Sequence, residues 1–314
     1  MKWFRKFFLH TFLIISSSVM IMPFVWMLLT SFKTPAESIN IPLKWFPQKK
    51  WFIKGTDTEI IKKDQNLWEI KTGPDRGKRI TLLQSQIVSK TFMWQNYKKA
   101  WQSAPFGIYF FNSIFTSFII TLTQIFTSSL AAYAFSRFNF VFKKQLFMML
   151  LGTLMIPGQV LLIPNYIILS KLGLIDTYGA LVIPWLASVF GIYFMKQHFD
   201  TIPKDLFDAA KIDGCKDTQI LFHIVFPLSV SVIASTGLLT FISNWNSLLW
   251  PLIVTNSVNM RTLQVGLAVF NQEAGTMWPL LMAASTFSLL PLVVLFFLTQ
   301  KTFIEGIAGS GLKE

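Results

Sequence analysis

YFFNSIFTSFIITLTQIFTSSLAAYAF occupies residues 109–135 and carries no charged side chain. A bilayer's hydrocarbon is about 30 Å thick, and roughly 20 mostly apolar residues of helix cross it, because backbone polar groups in lipid must bond within their own segment. Five further stretches meet that condition, at residues 7–31, 145–169, 178–195, 225–245 and 277–299. The expected fold is an all-α polytopic membrane protein with six transmembrane helices. Pro23, Pro157, Pro164, Pro184 and Pro291 fall inside these stretches. Each removes a backbone donor and leaves a carbonyl to be satisfied elsewhere, so kinks are expected there.

The rest of the composition agrees. Of 314 residues, 53% are hydrophobic and 14% charged, and the mean hydropathy is +0.51, which excludes a disordered chain and disfavours an ordinary soluble domain. The 28 Lys and Arg outnumber the 15 Asp and Glu; on so apolar a chain that excess points to membrane orientation and not to nucleic acid. Cys215 is the one cysteine, and His10, His198 and His223 are scattered without ligand spacing, so neither a disulfide nor a metal site is expected. The first apolar run is longer than the 7–15 residues of a signal peptide's apolar region, and no clear small-residue cleavage site follows; it is expected to be an uncleaved anchor.

Basic residues set the expected orientation. With the amino terminus in the cytoplasm, the short cytoplasmic segments carry twelve Lys and Arg, and the short external loops carry Lys171 and Arg261. Both termini are therefore expected inside a multi-pass cell (cytoplasmic) membrane protein. The other fourteen lie between Lys33 and Lys99, in an external segment long enough to escape the rule. There, residues 46–95 are rich in Lys, Asp, Thr and Gln, and NLWEIKTGPDRGKRITLL at 66–83 reads as two β-prone arms about a turn from Thr72 to Gly77. A small external β-rich insertion is expected. It reads either as a docking surface for an extracytoplasmic partner or as a solvated spacer, since a lone hairpin is marginally stable. The expected divisions are an N-terminal end and first helix over 1–45, the insertion over 46–95, and a helical core over 96–314 holding a loop at 196–224.

That loop, within KQHFDTIPKDLFDAAKIDGCKDTQILFHIVFPLS at 196–229, is the most informative stretch. Asp205 to Ile212 reads as a short helix: Pro203 and Asp205 suit its start, Leu206, Phe207, Ala210 and Ile212 give an apolar side, and Gly214 suits a left-handed stop. Ala209 and Ala210 leave its surface low beside the charge of Asp208. A second turn over 217–222 leads to Pro227. Such a helix-turn-helix is shaped to sit in a cleft on a partner.

These residues resemble the signature of permease subunits in binding-protein-dependent ATP-binding-cassette importers: Glu-Ala-Ala, three residues, Gly, then nine residues to Ile-x-Leu-Pro. The chain has Asp208-Ala209-Ala210, then Gly214, then Ile224-Val225-Phe226-Pro227 at that spacing, with Asp208 for Glu and Phe226 for Leu. FNSIF (111–115), LAAYAFSRF (130–138), MIPGQVLLIPNYIIL (155–169), LGLIDT (172–177), NWNSLLWPL (244–252) and the tail FIEGIAGSGLKE (303–314) are similar to the carbohydrate-uptake group typified by the smaller maltose-transporter permease. The resemblance implies a chain that is not itself an enzyme and binds no cofactor. A cytoplasmic ATPase dimer uses the ATP and Mg, a second homologous permease completes the pathway, and an extracytoplasmic solute-binding protein delivers a sugar or a polyol phosphate. Consistently, Gly77-Lys78 lacks Walker A spacing and is followed by Arg79. The coupling residues so implied are Asp205, Phe207, Asp208, Ala209, Ala210, Asp213, Gly214, Ile224 and Pro227, held in a groove of one ATPase subunit. Gly309, Ser310 and Gly311 of the tail are read either as a second ATPase contact or as a fraying end. Residues 255–260, between the last two apolar stretches, are a further candidate contact with the binding protein.

For the pathway, polar residues inside the apolar stretches are the candidates: Asn112, Gln124, Asn165, Asn244 and Asn246. Each is read first as hydrogen-bonded glue between helices and second as a substrate ligand. Two other classes compete. An ion-coupled secondary transporter needs an ionisable residue within a span, and an embedded hydrolase needs a His, Cys or carboxylate constellation at membrane depth; none of the six stretches holds Asp, Glu, Lys or Arg.

Overall fold

The computed structural model describes residues 2–39, 44–64, 67–272 and 275–311, from Thr302 onward by backbone alone. The chain is mostly helical and divides into two units, one of Met1–Ala104 with Leu267–Leu289, the other of Pro105–Gly266 with Leu290–Glu314.

The first unit starts with α1 (Lys2–Ser31), which runs through Pro23 without a break and is exposed along nearly its whole length. The helix Trp278–Ser288 packs against it. The short α2 (Pro35–Ile39) and strands β1 (Lys50–Ile53), β2 (Glu59–Lys62), β3 (Leu67–Ile70), β4 (Arg79–Thr81) and β5 (Ile87–Lys90) follow, then α3 (Gln95–Gln102). The strands form one antiparallel sheet in the order β4-β3-β2-β1-β5. The hairpin read from sequence is β3–β4, with Trp68 opposite Ile80 and Gly77 donating to the Ile70 carbonyl at 2.8 Å. Three more strands support it, each too short and too interrupted by Lys and Glu to show a period of two. Ile60, Trp68 and Ile70 are buried on one face, with Ile53, Ile80, Leu82 and Ile87 packed on them.

Buried polar contacts root the sheet to the end of α1. Asn96 of α3 donates its amide to the carbonyls of Ser31 and Lys33, at 2.7 and 2.9 Å. Lys33 is fully buried, donates to the Lys44 carbonyl at 2.6 Å and lies over the Trp26 ring at 4.0 Å. Burial pushes its ammonium below the ordinary lysine range, against the pull of Glu37. Lys50 bridges Glu59 at 3.2 Å and Glu37 at 3.8 Å and donates to Thr34 at 2.7 Å.

The second unit is built around α4 (Phe106–Arg137). Then come α5 (Lys143–Thr153), α6 (Leu162–Lys171), α7 (Tyr178–Val182), α8 (Val189–Thr201), α9 (Lys204–Ile212), α10 (Asp217–Ile220), α11 (Phe226–Leu228), α12 (Val230–Trp245), α13 (Leu249–Val254) and α14 (Leu263–Leu267). The chain continues through α15 (Trp278–Ser288) into α16 (Leu290–Gly311). Gly191 lets α8 close on α4, where a Cβ would meet Ser128 Oγ at 2.6 Å; small residues allow such close backbone approach.

Trp3–Ser31, Phe106–Arg137 and Trp278–Lys301 are long and apolar enough to cross a membrane. Three bent pairs have the combined length: Lys143–Met155 with Gly158–Lys171 at 93°, Tyr178–Trp185 with Val189–Thr201 at 42°, and Asp217–Leu228 with Val230–Trp245 at 82°. Among the described residues, length and composition thus give three spans, or up to six if each pair is one. The breaks fall at Pro157, after Pro184 and after Pro227, where the ladder loses a donor. Within the stretch expected to span over 225–245, the axis bends by 82° between Leu228 and Val230.

Among the described residues, two apolar clusters help to hold this unit. One joins Ala132, Tyr133, Met195, Phe199, Ile202, Phe207, Ala210, Ile220, Leu221 and Val225. The other joins Leu169, Ala180, Leu181, Trp250 and Val254. The first gathers segments that the basic-residue pattern assigns to the cytoplasmic side, the second segments assigned to the outside.

Candidate functional site

The residues of the 204–227 loop take up one compact arrangement. Pro203 precedes α9 with its ψ at 138°, Asp205 lies in the first turn and Lys211 in the last, matching the helix dipole at both ends. Gly214 adopts φ +78°. Its amide bonds the Lys211 carbonyl and that of Cys215 bonds Ala210, each at 3.0 Å, which is the Schellman closure that a left-handed residue permits. The residues then turn through α10 and a π-helical turn, Leu221–Val225, into α11.

This helix splits its side chains sharply. Phe207 and Ala210 are buried in the apolar cluster, and Ile224 packs against it. Asp205, Asp208, Ala209, Asp213, Gly214 and Pro227 are exposed. Ile212 is 86% exposed and Leu206 43%. The single apolar side expected from sequence is thereby corrected: only Phe207 and Ala210 point inward, three residues apart on one helix face, and Ala210 gives no low outer surface. Ala209 alone does.

Three side chains at the end of α4 grip this arrangement. Arg137 Nη2 donates to the carbonyls of Phe199 and, at 2.9 Å, Ile202, while its guanidinium lies 3.7 Å from the centre of the Phe207 ring. Ser136 donates to Asp200 at 2.7 Å, whose other oxygen meets Lys196 at 2.6 Å. Tyr133 reaches Asp217 at 3.5 Å. Sequence reasoning passed over all three. Their spacing at i, i+3 and i+4 in LAAYAFSRF was the available signal, since it puts them on one face.

Asn112 is fully buried. Its amide donates to the carbonyls of Asn259 and Arg261 at 2.8 and 2.9 Å, and its oxygen accepts from Tyr178 at 2.6 Å. Gln124 donates to the Trp185 carbonyl at 2.7 Å and accepts from Thr240 at 3.2 Å. Both are engaged between elements. Asn244 donates within its own helix to Thr240 at 2.8 Å; Asn246 does likewise to Ile242 at 3.0 Å and is exposed; Asn165 is half-buried on α6. Ser113 accepts from the Leu263 amide at 2.8 Å. Asp176, at φ +62°, accepts from the amides of Asn256 and Ser257 at 2.8 and 3.0 Å. Burial would raise its carboxyl, but those amides outweigh burial and hold it below the ordinary aspartate range. Together Asn112, Ser113 and Asp176 fasten residues 256–263. Gly309, Ser310 and Gly311 fall in the backbone-only end of α16, so the tail contact lies outside the described residues. Among the described residues, no group of three His, Cys, Asp or Glu is placed to hold a metal ion.

Residues 124–307 match the family described as binding-protein-dependent transport system inner membrane component. The chain belongs to that family. The permease is 32% identical over 288 residues to the probable ABC transporter permease protein YurM of Bacillus subtilis (strain 168), covering 89% of this chain and 95% of that one. It is 35% identical over 232 residues to the sn-glycerol-3-phosphate transport system permease protein UgpE of Yersinia enterocolitica, covering 71% and 83%. It is also 35% identical over 212 residues to the arabinooligosaccharides transport system permease protein AraQ of Halalkalibacterium halodurans, covering 68% and 76%. A chain in the crystal structure of a bacterial ABC transporter involved in the import of the acidic polysaccharide alginate matches with a TM-score of 0.70 at 19% identity, covering 96% of each chain. That likeness concerns the fold. The family membership speaks for an importer component and lends nothing to an ion-coupled carrier.

Proposed function

We propose that this permease is one half of a sugar importer in the cytoplasmic membrane, crossing it six times with both termini inside. A second homologous permease completes the pathway, a solute-binding protein delivers cargo outside, and a cytoplasmic ATPase dimer consumes ATP and Mg. The cargo is a carbohydrate or a polyol phosphate, the chemistry named for the permeases it resembles. The observation that carries the coupling reading is the division of α9: Phe207 and Ala210 anchor it in the core, while Asp205, Asp208, Ala209, Asp213 and an 86% exposed Ile212 present outward. An exposed isoleucine on a rigidly seated helix suits burial in a partner's groove. Swinging a pathway from 1:99 to 99:1 in one open state takes about 5.5 kcal/mol of differential binding, and a stiff contact transmits it without loss to local unfolding. The insertion, rooted by buried polar contacts and basic outside, serves as a docking surface for the binding protein.

Gly214→Pro tests this. Proline holds φ near −65°, whereas position 214 sits at +78°, so the closure of α9 is lost. The variant is expected to reach the membrane, to abolish uptake and to uncouple ATPase stimulation. Normal uptake would remove the coupling assignment.

A further inference from the structure

Arg137 has a geometry that a plain helix cap does not call for. As a cap, its guanidinium satisfies carbonyls at the end of α8, those of Phe199 and Ile202, which a lysine could partly do. It also stacks on Phe207, a residue of the next helix, at 3.7 Å. In doing so it leaves Nε buried without a hydrogen-bond partner, a condition that costs stability and that a lysine would avoid. A planar guanidinium can lie flat on a ring while its Nη2 donates to two carbonyls, a combination that a lysine ammonium matches only in part. One side chain from α4 thus holds the end of α8 and the buried side of α9 together. Ser136 and Tyr133, on the same face, add Asp200 and Asp217.

The far end of α4 is also fastened. Asn112 and Ser113 hold the carbonyls of Asn259 and Arg261 and the amide of Leu263. At 1.5 Å per residue, roughly 38 Å of unbroken helix separates position 112 from 137. We infer that Arg137 is the positioning residue through which displacement of α9 is passed to α4, and through α4 to the loop at 259–263. Without it, α9 tilts on its apolar base while α4 stays put. Because coupling free energy is reciprocal, the same residue carries the opposite signal, from an external partner at that loop to the ATPase contact. This rests on the functional reading above.

The test uses the full complex of both permeases, ATPase and binding protein in proteoliposomes, and reads solute imported per ATP hydrolysed together with the fold-stimulation of ATPase by loaded binding protein. Arg137→Lys keeps the charge and one carbonyl bond but loses the stacking, so both ratios are expected to fall at least fivefold. Phe207→Leu, which keeps an apolar side chain in the core but removes the ring, is expected to fall similarly, and the double variant no further. Wild-type ratios in Arg137→Lys would overturn the inference and show a simple cap. If Arg137→Lys does not accumulate in the membrane, Phe207→Leu decides alone, and a wild-type ratio there overturns it equally. Should the unaltered permease fail to co-purify with an ATPase, the functional reading itself falls, a result distinct from either.

Discussion

Asn112 and Asp176 illustrate two uses of a polar side chain on an apolar chain. Asn112 makes two donations and one acceptance, leaving little capacity to bind a solute; its chemistry is that of a clasp. Asp176 accepts two backbone amides in a left-handed conformation that aspartate tolerates better than most residues. Its carboxyl is held below the unfolded value of about 3.9, so the ionised form stabilises the fold. That contribution is fully present above about pH 4 and is lost as pH falls through the lower folded value. Melting temperatures of the purified permease between pH 6 and pH 3 should therefore drop more steeply for the wild type than for Asp176→Asn, which lacks the titrating group. Parallel curves would remove Asp176 as a stabilising anion. Sequence offered Asn112 as glue or as a pathway ligand and passed over Asp176; the partners of neither were legible, because those of Asn112 lie up to 149 positions away and those of Asp176 up to 81.

Among the elements, α9 and the insertion sheet were readable to different depths. The start of α9, its length and its stop at Gly214 depend on neighbours within one or two turns, and sequence reading placed them within a residue of Lys204–Ile212. The division of its apolar residues depends on where α4 and α8 lie, and was not readable. In the sheet, the β3–β4 hairpin carries its own turn chemistry, whereas β1, β2 and β5 become strands only by pairing with neighbours. Its root in the Lys50 bridge between Glu37 and Glu59 is more than a spacer requires. Deleting residues 49–89 should weaken binding-protein-stimulated ATPase activity while leaving assembly with the ATPase intact. Unchanged stimulation would return the insertion to the spacer reading.

At the scale of the whole molecule, orientation is the property that basic residues alone point to, and it has a direct check. In a Cys215→Ser background, Ile212→Cys should react with a membrane-impermeant maleimide only in inside-out vesicles, and Lys54→Cys only in right-side-out ones. Both positions are exposed. Labelling of position 212 from outside would reverse the topology and the coupling role with it. The amino-acid sequence alone determined that six apolar segments exist, where the insertion turns and where α9 stops, because each follows from hydropathy or backbone preference over about 20 residues or fewer. Only the tertiary structure decided which prolines bend their segments and how sharply, that α1 runs through Pro23 unbroken, that Asn112 and Gln124 are spent between elements, and that Arg137 ties α9 to α4. Those outcomes depend on which distant groups meet in space, and hydrogen-bond satisfaction at a buried position is a property of the meeting and not of the residue.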